Sequence, residues 1–329
     1  MSDNVLLRVR GLKKWFPIRR SPVDIIKGRP QLYLKAVDGV DFDIAPREIF
    51  CLAGESGCGK TTTGRLVLKL IEPTEGEIVF DGEDVTKLEG ESLKNFRKKA
   101  QIIFQDPYEA LNPQMNIMDI VTEPLLIHGM VHSKNEKIEY AIKALEDVAL
   151  KPAEDFLYRF PHELSGGQRQ RVAIARAIVL KPKFIVADEP VSMLDMSIRA
   201  EILNLMLNIR EKYNLAYLFI THDLAVAKHI CDRIAIMYLG KIVETGKAEQ
   251  VIDNPLHPYT KALISAIPVP DPRSKIGNIP IKGEVPSPVN VPPGCRFHPR
   301  CPYAFGRCRE EEPKLFEAEP GHLVACHLF

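Results

Sequence analysis

Phe50-Cys51-Leu52-Ala53 runs directly into Gly54-Glu55-Ser56-Gly57-Cys58-Gly59-Lys60-Thr61-Thr62, and the rest of the chain is read from this stretch. The apolar run predicts a strand, the pattern from Lys60 to Leu70 predicts a helix, and the glycine-rich segment between them is a loop. Glycines let successive backbone amides curl around phosphate oxygens. Lys60 is placed to neutralise β- and γ-phosphates and Thr61 to ligate Mg²⁺, while the helix N-terminus adds its dipole. Strand, loop and helix in that order make a cradle for a nucleotide. Cys58 reads as a small side chain facing away from phosphate, and bulky thiol reagents are expected to hinder nucleotide binding there.

A second strand signal, Phe184-Ile-Val-Ala-Asp188-Glu189, ends in two carboxylates. Beside the phosphate cradle such a strand delivers Asp188 to the Mg²⁺ shell and sets Glu189 where a water is polarised for attack on the γ-phosphate. Strands often end in acids because they reach solvent, so the pair gains meaning only together with Lys60 and Thr61. His222, after Leu218-Phe219-Ile220, is placed to contact the γ-phosphate, although a histidine at a strand end, taken alone, is more often a helix cap or a satisfied polar contact. Gln105, after Ile102-Ile103-Phe104, is placed to touch Mg²⁺ and the attacking water.

The 329 residues allow one large domain with an appendage or two modest domains. Lys and Arg total 44 against 43 Asp and Glu, a formal charge of +1 that gives no overall field for holding nucleic acid or an anionic membrane. No apolar run approaches the roughly 20 residues of a spanning helix. Met1-Ser2-Asp3-Asn4 has neither the basic end nor the apolar stretch of a secretory signal. Up to about residue 250, strand and helix patterns alternate, which predicts a parallel sheet covered on both faces. Glu77-Ile-Val-Phe-Asp-Gly-Glu-Asp-Val85 reads as strand, turn, strand, residues 115–160 read as mostly helical, and Ile198, Ile202, Leu205, Met206 and Ile209 share one helical face. Pro268–Pro293 is proline-rich and aperiodic, an extended linker. Of seven cysteines, Cys295, Cys301, Cys308 and Cys326 crowd the last 35 residues, which suggests a separate metal-binding module.

Leu164-Ser165-Gly166-Gly167-Gln168 resembles the signature motif of ATP-binding-cassette (ABC) ATPases. It falls in that family's order: phosphate loop, Gln105, signature, Asp188-Glu189, Ser192-Met193-Leu194-Asp195, Thr221-His222-Asp223. The resemblance covers about residues 5–250. It implies a P-loop α/β core with an antiparallel β subdomain and a helical subdomain at about 106–165, in an ABC domain spanning 1–255. It also implies a head-to-tail dimer that sandwiches two ATPs, with Leu164, Ser165, Gly166, Gly167 and Gln168 acting in trans. Ser192, Leu194 and Asp195 lie in the dimer-contact loop, where Met193 replaces the usual Ala. Phe16 is the best match for the adenine-stacking aromatic, ahead of Trp15 and Tyr33. It precedes an atypical insert, Pro17–Leu34, whose charges Arg19, Arg20, Lys27 and Arg29 read as a solvated loop.

His257-Pro258-Tyr259-Thr260-Lys261-Ala262-Leu263 and the Cys295–Cys326 segment resemble the C-terminal region, 256–329 here, of oligopeptide and dipeptide importer ATPases. By spacing alone the four cysteines suit zinc, an iron–sulfur cluster or free thiols equally. The resemblance implies a [4Fe–4S] cluster on Cys295, Cys301, Cys308 and Cys326, with Zn²⁺ as the alternative and His298, His322 and His327 as lesser candidate ligands, more simply read as surface residues. It further implies a peripheral subunit on the cytoplasmic face of the cell membrane that hydrolyses ATP for uptake of di- or oligopeptides, with oligosaccharides or nickel as other cargo. Its partners would be two transmembrane permease subunits, a paralogous ATPase or a second copy of itself, and an external solute-binding protein. A permease coupling helix would enter a cleft near Gln105. The rival reading is a non-transport ABC ATPase of DNA repair or the ribosome. Repair relatives interrupt the cassette with long coiled coils and ribosomal relatives carry two cassettes, and neither feature is present in the sequence.

Overall fold

The computed structural model describes residues 5–21, 26–28, 30–266, 281 and 283–329. In chain order the strands are β1 (Leu7–Pro17), β2 (Tyr33–Ile44), β3 (Ile49–Ala53), β4 (Glu75–Phe80), β5 (Glu83–Asp84) and β6 (Ala100–Ile103). They continue with β7 (Phe184–Asp188), β8 (Ala216–Thr221), β9 (Arg233–Tyr238), β10 (Lys241–Lys247), β11 (Phe316–Glu319) and β12 (His322–Val324). Contacts divide the chain into two compact units. One is built mainly from residues 44–49 and 87–220, the other mainly from 6–43, 50–86 and 221–329.

The unit that carries Lys60 holds a sheet in the order β2-β1-β4-β5. Along β1, Leu7, Val9 and Leu12 are buried while Arg8 is exposed, the alternation of a sheet with one face on a core. Leu7 stands opposite Phe80 and Val9 opposite Ile78, antiparallel, and β4 with β5 forms the expected strand–turn–strand. In the 17–34 insert, Ile18 N–H donates to the Leu32 carbonyl at 2.9 Å, and Arg19 and Lys27 are exposed as expected. Arg29 lies outside the described residues.

A second sheet in this unit runs β11-β12-β10-β9-β3. β3 pairs with β9 in parallel, and all its residues are buried, as a strand covered on both faces requires. The C-terminal region does not stand apart as the expected separate module. β12 extends the sheet by pairing antiparallel with β10, Val324 opposite Glu244. Leu256, Val324 and Cys326 form a small buried cluster against which Ala318 packs. Most of the expected linker Pro268–Pro293 lies outside the described residues, as does the Met1–Asn4 start.

In the other unit β6, β7 and β8 lie parallel, with Phe184 between Ala100 and Ala216. Every residue of β7 and β8 is buried, so the continuous apolar runs of the sequence are central strands. Helices Ile117–Ile127 and Lys134–Asp147 fall within the stretch expected to be helical and pack with helix Gly166–Ile178. Ser133 and Glu136 close a capping box that sets the start of the second helix. Helix Met196–Tyr213 buries Ile202, Leu205, Met206 and Ile209, the face read from the sequence, with Ile198 half-buried at its edge. Each such burial is worth roughly 1.5–3 kcal/mol. No helix among the described residues is long and apolar enough to cross a membrane.

Candidate active site

The phosphate loop is drawn tightly against its own unit. A Cβ on Gly59 would stand 2.1 Å from the Ala36 carbonyl oxygen, and one on Gly54 would stand 2.2 Å from that of Met237. Both glycines also have positive φ, +109° and +149°, so no side chain is tolerated at either. Lys60 is buried, its ammonium donating to the carbonyls of Gly54 at 2.8 Å and Glu55 at 3.0 Å. Ser56 and Gly57 are the exposed tip, while Thr61 and Thr62 begin helix Lys60–Val67 half-buried. Cys58 is buried, and that burial pushes its thiol pKa up, in keeping with a small side chain turned inward.

Among the three candidate aromatics, Trp15 is committed: its indole N–H donates to Asp38 Oδ1 at 2.8 Å. Its ring lies 6.3 Å from that of Tyr33. Phe16 is exposed, with the Lys14 ammonium 5.1 Å from the centre of its ring.

In the other unit β7 delivers buried Asp188 and, one residue on, Glu189. Glu189 has φ +46°, an uncommon conformation for a residue with a side chain, and its amide donates to the Ile220 carbonyl at 3.0 Å. Gln105 Nε2 donates to Glu189 Oε2 at 3.1 Å, so two residues 84 positions apart meet. The Ser192 hydroxyl donates to the Glu189 carbonyl at 3.0 Å, which ties the following loop to the strand end. Leu194 is buried, Asp195 takes the N-cap position of helix Met196–Tyr213, and Met193 and Met196 are exposed.

Ser165 is the N-cap of helix Gly166–Ile178: its hydroxyl accepts from Gln168 N–H at 3.3 Å, and Gln168 Oε1 accepts from Ser165 N–H at 3.0 Å. Leu164 is buried beneath it. A Cβ on Gly167 would meet Ile198 Cγ2 at 2.7 Å, so this glycine lets the helix start sit close against helix Met196–Tyr213. The motif thus offers a hydroxyl and helix-terminal amides to an anion.

His222 is exposed just past β8. The cap of the next helix is Asp223, which accepts from Ala225 and Val226 N–H, so capping is not the task of His222. The Thr61 hydroxyl, the Gln105 amide oxygen and the Asp188 carboxylate are hard oxygen donors of the kind Mg²⁺ takes.

Sequence reasoning missed how the C-terminal region enters the loop's surroundings. The Tyr259 hydroxyl accepts from Glu55 N–H at 2.8 Å. Arg300 donates to both Glu55 carboxylate oxygens, at 2.7 and 3.1 Å. That hydrogen bonding raises the Arg300 pKa above its already high ordinary value. No local pattern announces a contact 245 residues apart. The His257-Pro258-Tyr259 motif becomes intelligible as scaffolding. His257 Nδ1 caps the helix by accepting from Tyr259 N–H at 3.0 Å, and Pro258 takes the first helical turn. Complete burial pushes the His257 pKa down to about 3, so the ring is neutral. Beneath it the buried Glu244 accepts from Leu256 N–H and His257 N–H and meets His322 Nε2 at 2.7 Å.

Four thiols are a fitting donor set for a soft metal centre. However, among the described residues no group of three or more His, Cys, Asp or Glu side chains is gathered so as to hold a metal ion. The expected [4Fe–4S] or zinc set of Cys295, Cys301, Cys308 and Cys326 is therefore not assembled here. Cys308 and Cys326 are buried, and burial raises Cys295 to about 11 and also lifts Cys301 and Cys326. The thiols lie near enough for Cys301, Cys308 and Cys326 to help raise the Cys295 pKa, and a metal would take them as thiolates. Nor are all the flanking histidines surface residues. His322 is fully buried on Glu244, whereas His298 and His327 pair with the carbonyls of Cys295 and Glu311.

Two family profiles match the chain: one described as ABC transporter over residues 37–192, and one described as Oligopeptide/dipeptide transporter, C-terminal region, over residues 243–308. The chain is 48% identical over 333 residues to the oligopeptide transport ATP-binding protein AppF of Bacillus subtilis, spanning 100% of this chain and 98% of that protein. It is 49% identical over 326 residues to a putative peptide import ATP-binding protein of Brucella ovis, covering 99% and 98% of the two. The dimeric post-hydrolysis structure of the ATP-binding cassette MJ0796, bound to ADP and Pi, superposes with a TM-score of 0.62 at 28% identity, covering 74% of this chain and 98% of that one. The chain belongs to the ABC transporter ATPase family. Its C-terminal region is that of the oligopeptide/dipeptide transporters within it.

Proposed function

We propose that this chain is the ATP-hydrolysing subunit of an importer for di- and oligopeptides, peripheral on the cytoplasmic face of the membrane. The observation that carries this reading is the Gln105–Glu189 pair at the end of β7, in a chain that also has a glycine-locked phosphate loop and a peptide-transporter C-terminal region. Lys60 neutralises the β- and γ-phosphates of ATP, and Phe16 stacks on its adenine. Thr61, Gln105 and Asp188 hold the Mg²⁺ that comes with ATP and spreads its phosphate charge. Glu189 orients or deprotonates the attacking water, and His222 holds the γ-phosphate.

Ser165, Gly166 and Gly167 bind the ATP held by a second subunit, so two copies or two paralogues close head to tail. The exposed Met193 and Met196 beside Asp195 supply an apolar edge for that closure. ATP favours the closed pair, hydrolysis releases it, and the difference in affinity drives two permease subunits supplied by an external solute-binding protein. A groove of about 310 Å³ lined by Arg97, Phe104, Leu111, Ile127, His128 and Arg176 is the seat for a permease helix. The four C-terminal thiols are proposed as a metal-binding set on donor chemistry and resemblance alone, and no step of turnover runs through it. Anaerobically purified protein should be brown; a colourless protein with stoichiometric zinc would remove the cluster.

The reading is tested by reconstituting the chain with its permease subunits in proteoliposomes and measuring peptide uptake with ATP inside. Uptake is expected only with Glu189 intact. Uptake undiminished by Glu189→Gln would overturn the assignment.

A further inference from the structure

Glu55 is an anion inside a loop built to receive anions. Every other feature of the loop favours negative charge: the glycine-shaped backbone, the Lys60 ammonium and the start of helix Lys60–Val67. A free carboxylate on Glu55 would repel the phosphates of ATP. It is not free. Arg300 grips both of its oxygens in a fork, the strongest geometry open to a carboxylate.

The guanidinium is itself held in a built setting. The Arg300 side chain is 9% exposed, with its centre 5.8 Å from the Tyr238 ring and 6.0 Å from that of Phe297. Tyr238, Tyr259 and Phe297 pack on one another with centroids 4.7–5.4 Å apart. Arg300 N–H closes a turn onto the Phe297 carbonyl at 3.0 Å. Tyr259 takes the Glu55 amide from the same cluster, so one loop residue is fixed at backbone and side chain by two residues beyond position 255.

We propose that Arg300 is a positioning residue of the nucleotide site: it cancels the Glu55 charge and fixes the phosphate loop, so that ATP affinity depends on the C-terminal region. This rests on the ATP-site reading above. Arg300 touches no reacting atom; it acts through Glu55.

The experiment measures binding of magnesium–AMP-PNP, a non-hydrolysable ATP analogue, to the full-length chain by isothermal titration calorimetry. Arg300→Met is expected to weaken binding about tenfold or more. Glu55→Gln combined with Arg300→Met should recover most of the loss, because no repelling charge remains. A merely structural arginine gives no such rescue. Should Arg300→Met fail to fold, Arg300→Lys keeps the charge and loses the fork, and a smaller loss, again relieved by Glu55→Gln, is expected. Wild-type affinity in the arginine variants, or a loss that Glu55→Gln leaves untouched, overturns the proposal. A wild-type chain that binds no nucleotide overturns the ATP-site reading beneath it.

Discussion

Gln105 donates its side-chain amide to Glu189 at 3.1 Å, joining a residue two positions past β6 to the carboxylate that follows β7. The bond orients a carboxylate whose backbone is already in an uncommon conformation. Removing a positioned general base costs about 10²–10⁴-fold in rate. Glu189→Gln should therefore lower ATP turnover by that range while MgATP binding persists and an ATP-bound dimer accumulates on gel filtration. Gln105→Ala should cost less, because the base remains and only its orientation is freed. A Gln105→Ala loss as large as that of Glu189→Gln would show that the glutamine does more than orient.

Ser165 serves two purposes that one substitution separates. As N-cap in a capping box it contributes about 1 kcal/mol to helix stability, and as a trans donor it completes the partner's site. Ser165→Arg should leave ATP binding intact, lower the melting temperature by a few degrees and abolish hydrolysis. Asp at this position keeps a cap acceptor but sets an anion against phosphate. Ser165→Asp should thus retain stability and still lose turnover, read by thermal melts beside phosphate release.

Two glycines of the loop make a contrasting pair. A methyl on Gly59 collides with the Ala36 carbonyl, whereas one on Gly57 meets nothing within 4 Å and strains only the backbone, at φ +79°. Gly59→Ala should destroy nucleotide binding and destabilise the unit. Gly57→Ala should cost about 1–2 kcal/mol in stability and leave a folded chain. Denaturant melts and nucleotide titration distinguish the two.

The buried Cys58 thiol has a raised pKa, so less of it is thiolate at pH 8 than for a free cysteine. It should react with a bulky disulfide reagent only when the loop opens, far more slowly than a model thiol, and MgATP should slow it further. Once modified, the loop should no longer bind nucleotide. Rapid labelling in the native state, followed by mass spectrometry of the tryptic peptide, would contradict the burial.

His257 makes stability depend on pH. Its folded pKa of about 3 lies below the ordinary value of 6.5, so the unfolded chain binds the extra proton. The stability it contributes is complete above 6.5 and is lost as pH falls toward 3, by about 1.4 kcal/mol per unit. His257→Asn keeps a helix cap without a titrating ring. Its unfolding free energy should fall about 2 kcal/mol less than wild type between pH 7 and 5 in urea titrations. Parallel profiles would place the pH sensitivity elsewhere.

The central strands were readable in advance because a strand buried on both faces must be a short uninterrupted apolar run, as Phe184–Asp188 and Ala216–Thr221 are. The phosphate loop was readable because its demands are local: glycines where a Cβ collides, then a lysine and a threonine at the start of a helix. The signature segment was readable because Leu164-Ser165-Gly166-Gly167-Gln168 resembles a family motif, whereas the capping box that Ser165 and Gln168 form came only with the structure. By contrast, Arg300 and Tyr259 on Glu55 depend on chain closure across more than two hundred residues, and neither residue's neighbours reveal its partner. The same holds for the cysteines. Their number and crowding are written in the chain, but whether four thiols meet at one point or pack apart as neutral groups depends on the fold around them. Sequence therefore determined the local chemistry, set by backbone conformation and short-range spacing. Tertiary structure decided which charges were neutralised and which side chains were sealed from water, because burial and long-range pairing exist only once the chain has folded.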